Sequence, residues 1–241
     1  MKKEFAPFSK WRPALLLAIL VVLILSFNVL RSNFQTVLGK VRGDRTVQSV
    51  VKACEKATDE NLKPKFEKAG ASYPPKNITL VALKTEEMLE LWADGKYIKS
   101  YMFTANSGDV GPKLRQGDLQ IPEGIYRIEH LNPMSSYYLS MKVGYPNDFD
   151  RARAKEDGRT ALGGDIFIHG SSVTIGCIPI GNGPIEELFT LVAKTGVSKV
   201  TVIILPNDIR TGAPFMAPAD PPKWLPKLHD ELRKAIAPYK R

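Results

Sequence analysis

Cysteine and histidine are scarce in this sequence, with two of the first and three of the second among 241 residues. The cysteines, Cys54 and Cys177, do not make a disulfide scaffold, and pairing them would consume the more interesting thiol. No set of histidines and cysteines has the spacing of metal ligands, so no metal is expected. Gly108, Gly111 and Gly117 do not form a phosphate-cradling loop, and no cofactor is expected. Internal repeats are absent. No basic stretch is interleaved with aromatic residues, so nucleic acid is not an expected partner. Long, almost wholly apolar runs are missing too, with one exception.

The exception is Ala14 to Leu30, 17 residues with only Ser26 and Asn28 polar. That is at the short end of what spans a bilayer, and no face of it is polar. No small-x-small cleavage site follows, since Phe27-Asn28-Val29-Leu30-Arg31 is a poor one. The expectation is an uncleaved membrane anchor, with a cleaved signal as the second choice. Lys2, Lys3, Lys10 and Arg12 precede the segment, and Arg31, Lys40, Arg42 and Arg45 follow it, so the positive-inside count is a tie. Net charge is +9; Met1 to Leu30 holds four basic residues and Glu4, and without it the excess is +6. Such a balance suits a polyanionic neighbour, a wall polymer or a phospholipid surface, although solvated lysines account for any single residue.

Residues 31–75 read as a polar helical stalk. Val47, Val50, Val51 and Cys54 fall at helical spacing, Asp59 to Pro64 interrupts the pattern, and a second short helix ends at Gly70. Tyr73-Pro74-Pro75-Lys76-Asn77 marks a boundary. From Ile78 the period changes to two. Strands are expected at 78–83, 88–93, 97–103, 125–130, 137–143, 166–168, 178–180 and 199–205. Asp148 to Arg159 is charged and loop-like or briefly helical. A helix follows Asn182, its expected N-cap, and ends at Gly196; a last amphipathic helix runs from about Asp220 to Ala237. The organisation is a cytoplasmic N-terminus over 1–13, an anchor over 14–30, the stalk over 31–75, a β-dominated domain over 76–206, and a C-terminal loop and helix over 207–241.

The chemistry concentrates in Ile168-His169-Gly170-Ser171-Ser172-Val173-Thr174-Ile175-Gly176-Cys177-Ile178. Gly163 to Ile168 reads as a short buried strand delivering His169, and Cys177 lies eight residues further on. A free thiol is a weak nucleophile at neutral pH because little of it is ionised. An imidazole can take its proton, and backbone amides on a tight turn can hold the oxyanion formed on attack. Cys177 is therefore the candidate nucleophile and His169 the candidate base. Gly170 and Thr174 belong to the turn, and the Gly176 and Cys177 amides are candidate oxyanion donors. The base needs an orienting acceptor: a backbone carbonyl near Gly170 or Ser171, or the Asp165 carboxylate. Taken singly, a satisfied core histidine and a buried structural thiol are the blander accounts.

This His-Gly…Thr-x-Gly-Cys-Ile pattern resembles the catalytic signature of the L,D-transpeptidase (YkuD-type) family of peptidoglycan enzymes. Gly111-Pro112-Lys113-Leu114-Arg115-x-Gly117-Asp118, Pro122-Glu123-Gly124, Leu131-Asn132-Pro133, Tyr145-Pro146-Asn147 and Asp150-Arg151 are similar to a murein L,D-transpeptidase-like branch. The likeness covers roughly Ile78 to Leu205. It implies a mainly β fold, an L,D-transpeptidase-like β-sandwich with a few helices, here preceded by a transmembrane helix. It also implies an enzyme facing the periplasm from the inner membrane. There a cysteine attacks the third-position diamino acid of a peptidoglycan stem peptide, forms a thioester, and passes the acyl group to an amine or to water. Cys177 matches the nucleophile, His169 the base, and Thr174 and Gly176 the turn. Ile175 stands where many members carry histidine, and Pro179 where many carry arginine. Lys113, Arg115 and Arg151 are the candidates to replace that arginine as substrate-carboxylate binders. Hydrolysis of crosslinks or of a wall-attached protein is the alternative to transpeptidation, and a non-catalytic wall-binding scaffold a further one. Thiol alkylation that stays fast well below the ordinary thiol pKa is expected to distinguish enzyme from scaffold.

Overall fold

A computed structural model of the chain describes residues 45–240. The segments expected as cytoplasmic N-terminus and anchor lie outside the described residues. Among the described residues no helix is long and apolar enough to cross a membrane.

Helix α1 (Val47–Ala69) opens on a capping box in which Thr46 and Ser49 bond each other's backbone amides, and Gly70 closes it. The expected interruption between Asp59 and Pro64 does not occur. The helix runs through Pro64, which forfeits one backbone hydrogen bond. Tertiary burial explains the continuity: Leu62 and Phe66, one on each side of the proline, are fully buried in the main core. Lys194 pairs with Asp59 and Glu55 at 2.7 and 2.8 Å, and Asn61 donates to Glu187. The segment expected as a stalk thus packs against the domain from Thr46 onward.

Eight strands follow: β1 (Ile78–Leu83), β2 (Met88–Ala93), β3 (Lys96–Met102), β4 (Gly124–Asn132), β5 (Ser140–Val143), β6 (Phe167–His169), β7 (Ile178–Pro179) and β8 (Val200–Leu205). They form one mixed sheet in the order β3-β2-β1-β8-β4-β5-β6-β7. Only β1–β8 and β6–β7 are parallel. The expected β-sandwich is therefore corrected to a single curled sheet. The physical reason is β4: its first half pairs with β8 and its second half with β5, and a register shift between Ile128 and His130 bends it. What would be two sheets share one strand.

Both faces of the sheet centre are covered. Leu80, Ala82, Val202 and Ile204 face a core closed by α1 and by α3 (Asn182–Thr195). Val81, Leu83, Ile203 and Leu205 face Leu225, Leu228, Leu232 and Ile236 of α4 (Leu225–Ile236). Burial on both sides is why β1 (ITLVAL) and β8 (VTVIIL) read as nearly continuous apolar runs. The remaining helix, α2 (Asp148–Glu156), is started by a capping box of Asn147 and Asp150.

Candidate active site

The register of β6 and β7 decides whether His169 and Cys177 can meet. Ile168 pairs with Ile178 and His169 with Pro179. Ile168 and Ile178 are fully buried in the main core. Side chains alternate across a strand, so His169 and Cys177 both project from the opposite side. Cys177 lies opposite Phe167, two residues before His169. At ~3.3 Å per residue and ~4.8 Å between strands, the two Cα atoms are roughly 8 Å apart.

The His169 Nδ1 sits 2.5 Å from the Gly170 carbonyl oxygen. A carbonyl only accepts, so Nδ1 carries the proton and Nε2 keeps its lone pair. Of the orienting groups anticipated, the backbone carbonyl is the one found. Asp165 is not: its side chain is 85% exposed and its carboxylate pairs with Lys142 at 3.8 Å. Its carbonyl instead accepts from the Cys177 thiol at 3.5 Å. Among the described residues no hydrogen bond joins Sγ to the imidazole. His169 is 1% exposed, and burial lowers its pKa, which the Gly170 carbonyl partly offsets. Burial pushes the half-buried Cys177 thiol up, and the Asp165 charge adds to this; the Phe167 amide and the Lys113 ammonium act the other way. Both directions favour the neutral forms. Cys54 is half-buried on α1.

The turn before Cys177 is held by one hydroxyl. Thr174 Oγ1 accepts from the Cys177 amide at 2.8 Å and the Gly176 amide at 3.2 Å, and donates to the Cys177 carbonyl at 2.8 Å. The two amides expected as oxyanion donors are thus occupied, and a substrate oxygen reaches them only by displacing Thr174. Gly176 has φ +124°, and a Cβ there would lie 2.9 Å from the Gln120 carbonyl oxygen, so no other residue fits without a shift. At the other end of the turn, Asn182 Oδ1 accepts from the Ser171 amide at 2.8 Å. Asn182 is therefore not the N-cap of α3; that position is Gly181, with no side-chain cap. Thr104 Oγ1 donates to the Ser171 carbonyl at 2.8 Å.

Positive φ outside glycine gathers here. Of six such described residues, four surround the turn: Leu119, Tyr138, Asp165 and Ser171. Strained backbone persists where surrounding structure over-determines it, commonly at functional sites.

The basic candidates are placed elsewhere in the bonding network. Lys113 is buried, with Nζ 2.6 Å from Asp118 and 3.1 Å from the Arg115 carbonyl. Asp118 also takes the amides of Leu114, Arg115 and Gln120, which with Lys113 hold its carboxyl below the usual range against the opposing effect of burial. Lys113 thus braces the loop that carries Gln120 against Gly176. Arg115 is exposed, and Arg151 pairs with Asp148 at 3.5 Å on α2. Neither is bonded to the turn among the described residues. Sequence reasoning missed Tyr137, which it placed in a strand, although β5 begins only at Ser140. It also missed Gln120. Recesses of about 290 and 350 Å³ are lined by residues including Lys84 and Glu123, and Cys54 and Glu187. Neither contains His169 or Cys177, so the site rests on the chemistry of the pair.

The family model for the L,D-transpeptidase catalytic domain (YkuD) matches residues 76–204, more than half of the chain. YafK of Escherichia coli (strain K12), provisionally named an L,D-transpeptidase, is 37% identical over 132 residues, which is 51% of this chain and 51% of YafK. The chain thus spans about half the length of the curated relatives it matches. Among solved structures, the helical cell shape determining protein Pgp2 from Campylobacter jejuni is 27% identical, covering 55% of this chain and 48% of that one, with a TM-score of 0.44. L,D-transpeptidase 1 of Mycobacterium tuberculosis is 9% identical over 54% of this chain and 61% of its own, with a TM-score of 0.34.

Proposed function

Because this chain belongs to the YkuD family of L,D-transpeptidase catalytic domains, we propose that it is a peptidoglycan acyltransferase working through a thioester on Cys177. The observation that carries the reading is the shared sheet face of His169 and Cys177, with Nδ1 fixed on the Gly170 carbonyl.

The steps follow from that geometry. Cys177 Sγ attacks the carbonyl carbon of the third-position diamino acid in a stem peptide. As the S–C bond forms, the thiol proton passes to His169 Nε2. The carbonyl becomes an oxyanion, for which the Gly176 and Cys177 amides are the nearest donors once the Thr174 hydroxyl yields them. The C–N bond breaks, and the imidazolium returns its proton to the departing amine. A thioester remains. An incoming amine, or water, then attacks it, loses a proton to His169, and releases Cys177 as the thiol. Both fates share every step until the acceptor arrives. Cys177 is only partly buried, which leaves water a route to the thioester. That exposure favours hydrolysis as the second reading. In the same proposal the domain faces the periplasm, held at the inner membrane through Ala14 to Leu30.

The test is purified peptidoglycan with mass detection of products. Cys177→Ala should abolish turnover with the fold intact, and His169→Ala should slow acylation severely. Turnover retained in Cys177→Ala rejects the assignment, and a parent that turns nothing over leaves the scaffold alternative. A product joined to an amine identifies a transferase, and one carrying a new carboxylate a hydrolase.

A further inference from the structure

The ring of Tyr137 lies 4.7 Å from that of His169, centroid to centroid, with the planes 32° apart. This tyrosine belongs to the connection between β4 and β5, and that connection is fastened at several points. The Tyr137 amide donates to Ser135 Oγ at 3.1 Å. The Tyr138 hydroxyl donates to Glu186 on α3. Leu139 is fully buried, and its carbonyl accepts from the Gly170 amide at 3.1 Å. The Tyr137 carbonyl comes so close to Gly170 that a Cβ there would lie 3.0 Å away. Tyr138 at φ +79° holds the bend between the two tyrosines. Backbone so thoroughly pinned does not choose the ring's position freely. It sets the ring against the imidazole.

The Tyr137 hydroxyl has no hydrogen-bond partner among the described residues, and the residue is 38% exposed. A half-exposed phenol with nothing to bond is not held there by its oxygen. What it contributes is a ring face. The Gly170 carbonyl fixes one atom of the imidazole, leaving rotation about that contact; a flat neighbour removes it.

We propose that Tyr137 is a positioning residue for the base: its ring holds the plane of the His169 imidazole and shields it from water. This rests on the reading of His169 as the base. Among the described residues the titratable group against the imidazole is Tyr137 itself, while Glu186 on α3 is engaged by Tyr138.

The test compares Tyr137→Phe with Tyr137→Leu in the whole protein. Two readouts are needed: imidazole titration by NMR, with His130 and His229 assigned by substitution, and pH-dependent turnover of peptidoglycan fragments. Phe keeps the face and should match the parent in both. Leu keeps apolar bulk without the face. It should raise the His169 pKa by about one unit as water gains access, a tenfold change in proton affinity. It should also lower kcat about tenfold with KM within twofold. Leu indistinguishable from the parent, or a downward shift, overturns the proposal. So does Phe as impaired as Leu, which would assign the effect to the hydroxyl. If the parent turns nothing over, the proposed function fails, while the titration still decides whether the ring shields the imidazole.

Discussion

Cys177 should behave as an ordinary, slightly suppressed thiol until substrate arrives. The ordinary values are 9.0 for the thiol and 6.5 for the imidazole, and burial moves the first up and the second down. Both shifts widen the ordinary difference of 2.5 between the two groups. Proton transfer from one to the other costs more than about 3 kcal/mol before the ions attract each other. Attraction is the only term able to reverse this. At 4 Å and an effective dielectric of 20 it is worth about 4 kcal/mol, enough to tip the balance. The structure does not provide that contact: Sγ donates to the Asp165 carbonyl, and no hydrogen bond joins it to the ring among the described residues. Without that contact the attraction is weaker, weaker still in a half-exposed site, and Asp165 opposes the thiolate. The neutral pair wins. Alkylation by iodoacetamide, read at the Cys177 peptide by mass spectrometry from pH 5 to 10, should rise through one step above pH 9. Turnover should instead keep an acid limb below pH 6.5, where His169 is protonated. A plateau of fast alkylation between pH 5 and 7 that disappears in His169→Ala would refute this reasoning. By the same argument, slow alkylation at low pH does not mark a scaffold, contrary to what the sequence suggested.

Three further outcomes follow from particular contacts. Gly176→Ala places a Cβ 2.9 Å from the Gln120 carbonyl at φ +124°. It should cost about 1–3 kcal/mol in urea unfolding and reduce turnover about a hundredfold; turnover within threefold of the parent would show the close approach to be dispensable. Leu62→Ala should destabilise by about 2–5 kcal/mol, because the side chain is fully buried between α1 and the domain. A loss below about 0.5 kcal/mol would return α1 to the status of a solvated stalk. Burial raises the Asp150 carboxyl to about 6, against its hydrogen bonds from Asn147 and Tyr126. The folded state therefore binds the proton more tightly than the unfolded one. That contribution is complete below pH 3.8 and is lost as pH rises through about 6. The Tm of the parent should fall relative to Asp150→Asn between pH 4 and 8; parallel curves would contradict the assignment.

What was legible in the sequence was local or chemical. The bounds of β1 and β2 are those their apolar runs suggest, since burial on both faces writes itself into every position. His169 and Cys177 stand out in the sequence because a histidine, two glycines and a cysteine share one short segment, and the structure adds the Thr174 bonds that hold the turn between them. The single sheet was not legible, because β4 serves two partners, β8 and β5, that are distant in sequence. Helix α1 misled because Pro64 is a local signal, whereas Leu62 and Phe66 answer to a core assembled from other elements. Asn182 looked like an N-cap on local grounds, yet its side chain is spent on Ser171, across the turn.

Two contacts of the resting site share a character. The thiol donates to the Asp165 carbonyl, and the Gly176 and Cys177 amides donate to Thr174. Each satisfies a group that the proposed mechanism would use, and each does so with a neutral partner. An oxyanion accepts from the same amides through charge-assisted hydrogen bonds roughly twice as strong. A ground-state carbonyl offers little more than the Thr174 hydroxyl already gives. Displacement is therefore close to even for bound substrate and strongly favourable only as negative charge develops on the oxygen. That is the difference catalysis requires, since binding substrate and transition state equally well does not raise kcat. The same hydroxyl keeps the turn shaped when no substrate is present, through its bond to the Cys177 carbonyl. In the proposed mechanism Thr174 would thus reconcile a stable resting turn with donors that respond to charge.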